Sequence, residues 1–139
     1  MITWLLDTGP LVAYLDASEP GHADVVAAAE PFGGVLATTS AVVTEAMHFV
    51  SVAPDGPRLL SDLLRAWDVQ VFDFSATHAL PHVVDLMERY ARVPMDFADA
   101  TLVLLADQLD ARQVLTLDRH GFATYRTPSG RSLRIVLDG

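Results

Sequence analysis

Short apolar runs alternate along this chain with longer amphipathic stretches, an alternation that reads as strand, helix, strand, helix. Ile2 to Leu6 has strand length and is closed by Asp-Thr-Gly-Pro, and Pro10 suits the first turn of a helix continuing through Leu11 to Leu15. Ser18 is a candidate cap for a second helix from about Glu19 to Glu30. Gly33-Gly34 breaks the chain before a second strand, Val35-Leu36-Ala37. Thr39 or Ser40 then caps a helix that carries Glu45 and ends before Pro54. Pro57 opens the next helix, to about Trp67; Val69 to Phe74 is a third strand; Ser75 or Thr77 begins a long helical stretch to about Arg92. After Pro94, Asp96 or Asp99 starts a helix running to about Leu109, and Val114 to Leu117 is a fourth strand. The tail alternates from Ser132 to Leu137 behind the turn signal Thr-Pro-Ser-Gly, which predicts a final edge strand or hairpin. Strands alternating with helices point to an α/β sandwich on a mostly parallel sheet.

Four of these apolar elements carry an acid. Asp7 ends the first strand, Asp118 follows the fourth, Glu45 lies among Val42, Val43, Ala46, Met47, Phe49 and Val50, and Asp99 opens Ala-Thr-Leu-Val-Leu-Leu-Ala with Asp96 three residues before it. Ligands of open α/β sheets gather beyond the carboxyl ends of the strands, where Asp7 and Asp118 emerge. Asp96 and Asp99 are one turn apart near a helix start, whose partial positive charge favours carboxylates. Two such charges about 4 Å apart repel by about 4 kcal/mol at an effective dielectric near 20. A hard divalent cation with a taste for oxygen, Mg²⁺ or Mn²⁺, relieves that repulsion. Each acid also has an ordinary reading: Asp7 and Asp118 as turn residues or caps, Asp96 and Asp99 as N-caps, Glu45 as a surface or ion-paired side chain.

Composition narrows the choice. With 139 residues, 51% of them hydrophobic, the chain is expected to fold as one domain over residues 1–139. No apolar stretch approaches the roughly 20 residues of a membrane span, and the start lacks the basic residues of a signal peptide. Cysteine is absent, which fits a cytoplasmic protein and removes thiolate chemistry. Lysine is absent too, so Schiff-base and P-loop mechanisms are excluded. A net charge of −9 opposes general adhesion to nucleic acid. All nine basic residues are arginines, and Arg112, Arg119, Arg126, Arg131 and Arg134 fall near the end, a pattern read either as a basic rim or as ordinary surface.

Leu5-Leu6-Asp7-Thr8-Gly9-Pro10-Leu11-Val12, Thr39-Ser40 through Glu45, Met95-Asp96-Phe97-Ala98-Asp99-Ala100 and Leu115-Thr116-Leu117-Asp118-Arg119, in that order and spacing, resemble the PIN-domain ribonucleases, specifically the VapC toxins of bacterial toxin–antitoxin pairs. The resemblance covers nearly the whole chain. It implies a PIN-like three-layer sandwich, with a mostly parallel sheet of four or five strands flanked by helices. It also implies a pocket for Mg²⁺ or Mn²⁺, RNA as substrate, a homodimer, and a cognate protein antitoxin. Asp7, Glu45, Asp99 and Asp118 match the four acidic positions; Asp96 is an additional acid beside Asp99, and Thr8 matches a hydroxyl that supports the site.

On this reading Asp7 and Asp99 hold the principal cation, while Glu45 and Asp118 complete the pocket or orient the attacking water. Arg119 is a candidate phosphate contact, and Phe97, Phe122 and Tyr125 are either base-stacking groups or core. His48 is expected as a partly buried histidine near Glu45, and His78 and His82 as helix-surface residues rather than a Zn²⁺ pair. The antitoxin is expected in a groove between the helices at Ala23 to Ala29 and Pro57 to Trp67. Two enzyme classes fit worse: an aspartyl phosphatase needs an acid where Gly9 stands and a lysine, and a phosphoacceptor receiver domain needs paired acids and a late lysine. The alternative in another class is a non-catalytic α/β module whose acids hold a structural cation or a partner's arginines.

Overall fold

A computed structural model describes residues 1–139. Its centre is a five-stranded sheet in the order β3-β2-β1-β4-β5, with every pairing parallel. The strands are β1 (Thr3–Leu6), β2 (Val35–Thr39), β3 (Gln70–Phe72), β4 (Gln113–Leu115) and β5 (Arg134–Ile135). Seven helices flank it: α1 (Thr8–Leu15), α2 (His22–Ala29), α3 (Ser40–Val50), α4 (Gly56–Ala66), α5 (Leu80–Arg89), α6 (Phe97–Leu109) and α7 (Arg119–Thr124). A parallel sheet covered on its faces needs apolar strands rather than alternating ones. β1 obeys: Leu5 and Leu6, successive residues on opposite faces, are both fully buried. The expected α/β architecture with a mainly parallel sheet is therefore observed.

β1 is the middle strand, so Asp7 leaves the sheet at the centre of its carboxyl edge. Leu6 pairs with Leu115, and the backbone N–H of Asp7 donates to the Leu115 carbonyl (3.0 Å), which aligns Asp7 with Thr116 on the neighbouring strand. A second tie is Thr38, whose buried hydroxyl donates to the Leu6 carbonyl (2.6 Å). α6 packs on β1 and β2 and beside α3. It is apolar nearly all round, with Ala98, Ala100, Leu102, Val103, Leu105 and Ala106 buried, as expected of a helix enclosed on several sides. The buried hydroxyls of Thr39, at the end of β2, and Thr101, in α6, lie 2.8 Å apart. That bond fixes where the N-terminus of α6 stands over the strand ends.

Several elements differ from expectation. The second helix begins at His22, three residues late, because Ser18 is drawn into a local turn: its N–H and hydroxyl both bond Asp16 (2.9 and 2.6 Å). The helix expected from Ser75 or Thr77 begins only at Leu80; Ser75 is held by Asp73 in the same kind of turn (2.9 and 2.7 Å). The tail forms a two-residue parallel strand and a 3₁₀ turn, Val136–Asp138, with one isolated antiparallel bridge between Arg126 and Ser132. α7 is a short helix the hydrophobic pattern did not reveal.

Candidate active site

The carboxyl ends of β1 and β4, the middle of α3 and the start of α6 meet around one open cleft of about 500 Å³. Asp7, Glu45, Asp96, Asp99 and Asp118 all line it, together with Thr8, Gly9, Glu19 and Leu117. Five acids selected along 112 positions of sequence thus share a single concavity. Their exposure is graded: Asp7 is only 7% exposed, Glu45 and Asp99 are half-buried, and Asp96 and Asp118 are exposed.

Three of the five are also helix caps, as the ordinary reading has it, and their carboxylates still face the cleft. Asp7 caps α1, its Oδ1 accepting from the Thr8 N–H (2.8 Å). Asp118 caps α7, its Oδ1 accepting from the Gly121 N–H (3.0 Å). Asp96 caps α6 in a reciprocal box: its Oδ1 accepts from the Asp99 N–H (2.8 Å), and Asp99 Oδ2 accepts from the Asp96 N–H (3.1 Å). Each cap orients a carboxylate with backbone donors from its own peptide, which is why widely separated segments deliver side chains in fixed directions.

A buried hydroxyl ties two of the caps together. Thr116 Oγ1 donates to Asp7 Oδ2 (2.7 Å) and accepts from the Asp118 N–H (3.0 Å). Thr116 was not anticipated as a site residue. The available signal was a threonine two positions before Asp118 in an otherwise apolar strand. Tyr125 was assigned to stacking or core; its ring is fully buried against Phe122 and Tyr90, so it cannot stack on a base. The same holds for Phe122, while Phe97 is half-buried beside an adjoining groove that also includes Thr44, His48 and Ser75.

The electrostatics are those of acids held against their preference. Burial pushes the Asp7 carboxyl up to about 6, opposed by the Thr116 and Thr8 hydrogen bonds and reinforced by Glu45 and Asp96. Burial likewise pushes Asp99 up to about 8, with the charges of Asp96 and Asp7 adding to it. No basic side chain lines the cleft. Of the five late arginines, read either as a basic rim or as ordinary surface, three are engaged locally: Arg119 Nε is 2.6 Å from Asp138 Oδ1, Arg131 pairs with Asp110, and Arg126 donates to the carbonyls of Ala123, Thr124 and Tyr125. Arg119, the candidate phosphate contact, is half exposed and gives its Nε–H to Asp138, leaving its Nη donors without a protein partner. His48 departs from expectation as well, being exposed and edge-on to Phe49.

The donor set suits a hard cation: it is all oxygen and unneutralised, and the buried Thr8 Oγ1 beside Asp7 has no partner. No three of the carboxylates stand close enough to enclose an ion by themselves.

The sheet order and the acidic cleft at its carboxyl edge define a PIN-like α/β domain. The chain is similar to ribonuclease VapC26 of Mycobacterium tuberculosis, 29% identical over 136 residues that span 95% of this chain and 98% of the relative. In fold it resembles the crystal structure of VapC20 from M. tuberculosis, described as a sarcin–ricin loop cleaving toxin (TM-score 0.68, 16% identity, covering 87% of this chain and 95% of the other). It also resembles VapBC2 from Rickettsia felis, solved bound to a promoter DNA fragment (TM-score 0.63, 15% identity, covering 96% and 97%). No family profile matches the chain. The resemblance to VapC-type PIN-domain ribonucleases drawn from the sequence is borne out by these relatives.

Proposed function

We propose that this chain is an endoribonuclease, the toxin of a toxin–antitoxin pair, hydrolysing RNA phosphodiester bonds with Mg²⁺ or Mn²⁺ at the acidic cleft. The observation that carries the reading is the convergence of Asp7, Glu45, Asp96, Asp99 and Asp118 on one cleft in a chain similar from end to end to a VapC ribonuclease. Asp7 and Asp99, the two acids most penalised for being charged, would hold the cation, with Glu45, Asp96 and Asp118 completing the pocket. When bound, the cation supplies a nucleophile at neutral pH and charge neutralisation at phosphorus. Thr116 and the Thr8 N–H keep Asp7 fixed while this happens, and Glu45, which has no protein hydrogen bond, is free to accept a proton from the attacking water.

The antitoxin is assigned to a groove of about 580 Å³ beside the active cleft, lined by Val12, Leu15, Phe49, Val52 and Leu59 with Asp16, Glu19 and Asp55 among its walls. It runs along α1, the end of α3 and α4, rather than between α2 and α4 as the sequence led us to expect. An apolar floor with acidic walls matches a partner helix that has one apolar face and basic flanks. Phe49 and Val52, 51% and 91% exposed, stand together on its wall and offer apolar surface to such a helix.

The test is RNA cleavage by the full chain with added Mn²⁺, compared with Asp7→Asn and Asp99→Asn. Each variant is expected to lose about a hundredfold or more in rate, and full activity in either removes that residue from the mechanism. The second reading, a non-catalytic module, draws on the absence of cationic side chains around the cleft. Mn²⁺ binding without cleavage of any RNA decides in its favour.

A further inference from the structure

Beneath the cleft, between the caps of α6 and α7, sits a phenol that the proposed chemistry leaves unused. Tyr125 is fully buried, with Tyr90 and Phe122 edge-on to its ring at centroid distances of 5.3 and 5.2 Å. Its hydroxyl lies 3.1 Å from the Pro94 carbonyl and 3.4 Å from Asp99 Oδ2. On the other side it faces Gly121, the residue whose N–H holds Asp118. A Cβ at Gly121 would come within 3.0 Å of the Tyr125 hydroxyl and collide with Asp118 Oδ2. The hydroxyl therefore reaches the Asp99 carboxylate in the first turn of α6 and faces Gly121, whose N–H anchors the Asp118 cap.

We propose that Tyr125 is a positioning residue for the acidic site: its buried hydroxyl fixes the Asp99 carboxylate against the Pro94 carbonyl and, packed on Gly121, sets the separation of Asp99 and Asp118. This inference rests on the reading of the cleft as a divalent-cation site. A sheet alone does not set that separation. α6 is fixed over β1 and β2, whereas α7 lies against β5 at the far edge. Tyr125, one residue past α7, is the side chain that spans them. The phenol hydroxyl brings one proton to donate there. Its single proton is shared between the nearer carbonyl and the farther carboxylate, so the contact with Asp99 is one of placement more than of strength. The cleft itself does not include Tyr125, so the residue acts from behind Asp99 and touches no substrate.

The experiment measures Mn²⁺ affinity of the full chain by calorimetry, without RNA, for the parent, Tyr125→Phe and Tyr90→Phe. Phenylalanine keeps the ring and its packing. Tyr90→Phe is the control for simple loosening, since it removes a neighbouring hydroxyl that accepts the Arg126 N–H (2.9 Å) and does not reach the cleft. Tyr125→Phe is expected to weaken Mn²⁺ binding about tenfold and lower kcat comparably while KM for RNA and the affinity of Tyr90→Phe stay within about twofold of the parent. Parent-like Mn²⁺ affinity in Tyr125→Phe, or an equal loss in both variants, overturns the inference while leaving the nuclease reading intact. A parent that binds Mn²⁺ but cleaves no RNA removes the nuclease reading and still tests Tyr125 through affinity. A parent that binds no Mn²⁺ overturns both.

Discussion

Asp7 shows how one residue carries two roles whose demands conflict. As the cap of α1 it must accept hydrogen bonds, and as a nearly buried acid among like charges it resists ionisation. Because the folded protein holds protons on Asp7 up to about 6 and on Asp99 up to about 8, against about 4 in the unfolded chain, folding takes up protons between those limits. The cation-free protein is therefore expected to lose stability as pH rises from about 4 through 6 to 8. Thermal melting in chelator at a series of pH values checks this, and Asp99→Asn should flatten the upper part of the fall. Cation binding must expel the same protons, so Mn²⁺ affinity should climb between pH 5 and pH 8 with measurable proton release in calorimetry. An affinity independent of pH there contradicts the assignment of Asp7 and Asp99 as ligands. Thr116→Val keeps the shape of the residue and removes the donor to Asp7 Oδ2. At pH 8, where that carboxylate is charged, it is expected to cost about 1.5–3 kcal/mol in denaturant unfolding, and less at pH 5.

Among the elements, those whose local chemistry agreed with their burial were legible in advance. The residues of β1, the cap at Thr39, the start at Asp96 and the end of α6 at Leu109 all lie where pattern and capping rules put them. The acids could be selected because each interrupted an apolar stretch. Two helix starts were misplaced because Asp16 and Asp73 outcompete helix formation by bonding Ser18 and Ser75 two residues on. α7 escaped because its six residues, Arg-His-Gly-Phe-Ala-Thr, show no helical period. Thr116 and Tyr125 escaped for another reason: their roles depend on strand register and on what lies across the core, which one-dimensional spacing does not encode. Close approach between elements is equally silent in sequence. Gly56 opens α4 where a Cβ would strike the Val50 carbonyl at the end of α3. Gly56→Ala is expected to destabilise the protein by more than about 2 kcal/mol, measured by chemical denaturation. A neutral outcome would mean that the junction of α3 and α4 has slack.

For the molecule as a whole, charge arrangement sets how the proposed RNA substrate would be met. The net charge is −9, and of the nine arginines, three near the C-terminus are held by acids or carbonyls of the chain itself. No arginine lines the cleft, so one or two phosphate contacts by side chains near it are expected. With a slope near −0.7 per contact for single strands, a fourfold rise in salt should raise KM only about three- to sevenfold. Steady-state cleavage between 50 and 200 mM NaCl, at fixed Mn²⁺, checks this on the order predicted by counterion release. A hundredfold rise would mean that more arginines than these reach the RNA backbone. No helix is long and apolar enough to cross a membrane.

On the proposed function, the capping aspartates bear on how such an activity would be lost. Asparagine accepts the same backbone hydrogen bonds as aspartate, whereas alanine leaves a helix start unsatisfied at a cost of about 1 kcal/mol. Drift away from catalysis at positions 7, 96 and 118 is thus channelled through amides and small hydroxyls. A retired copy of this protein should keep its shape and betray its silence by asparagine or serine at those three places.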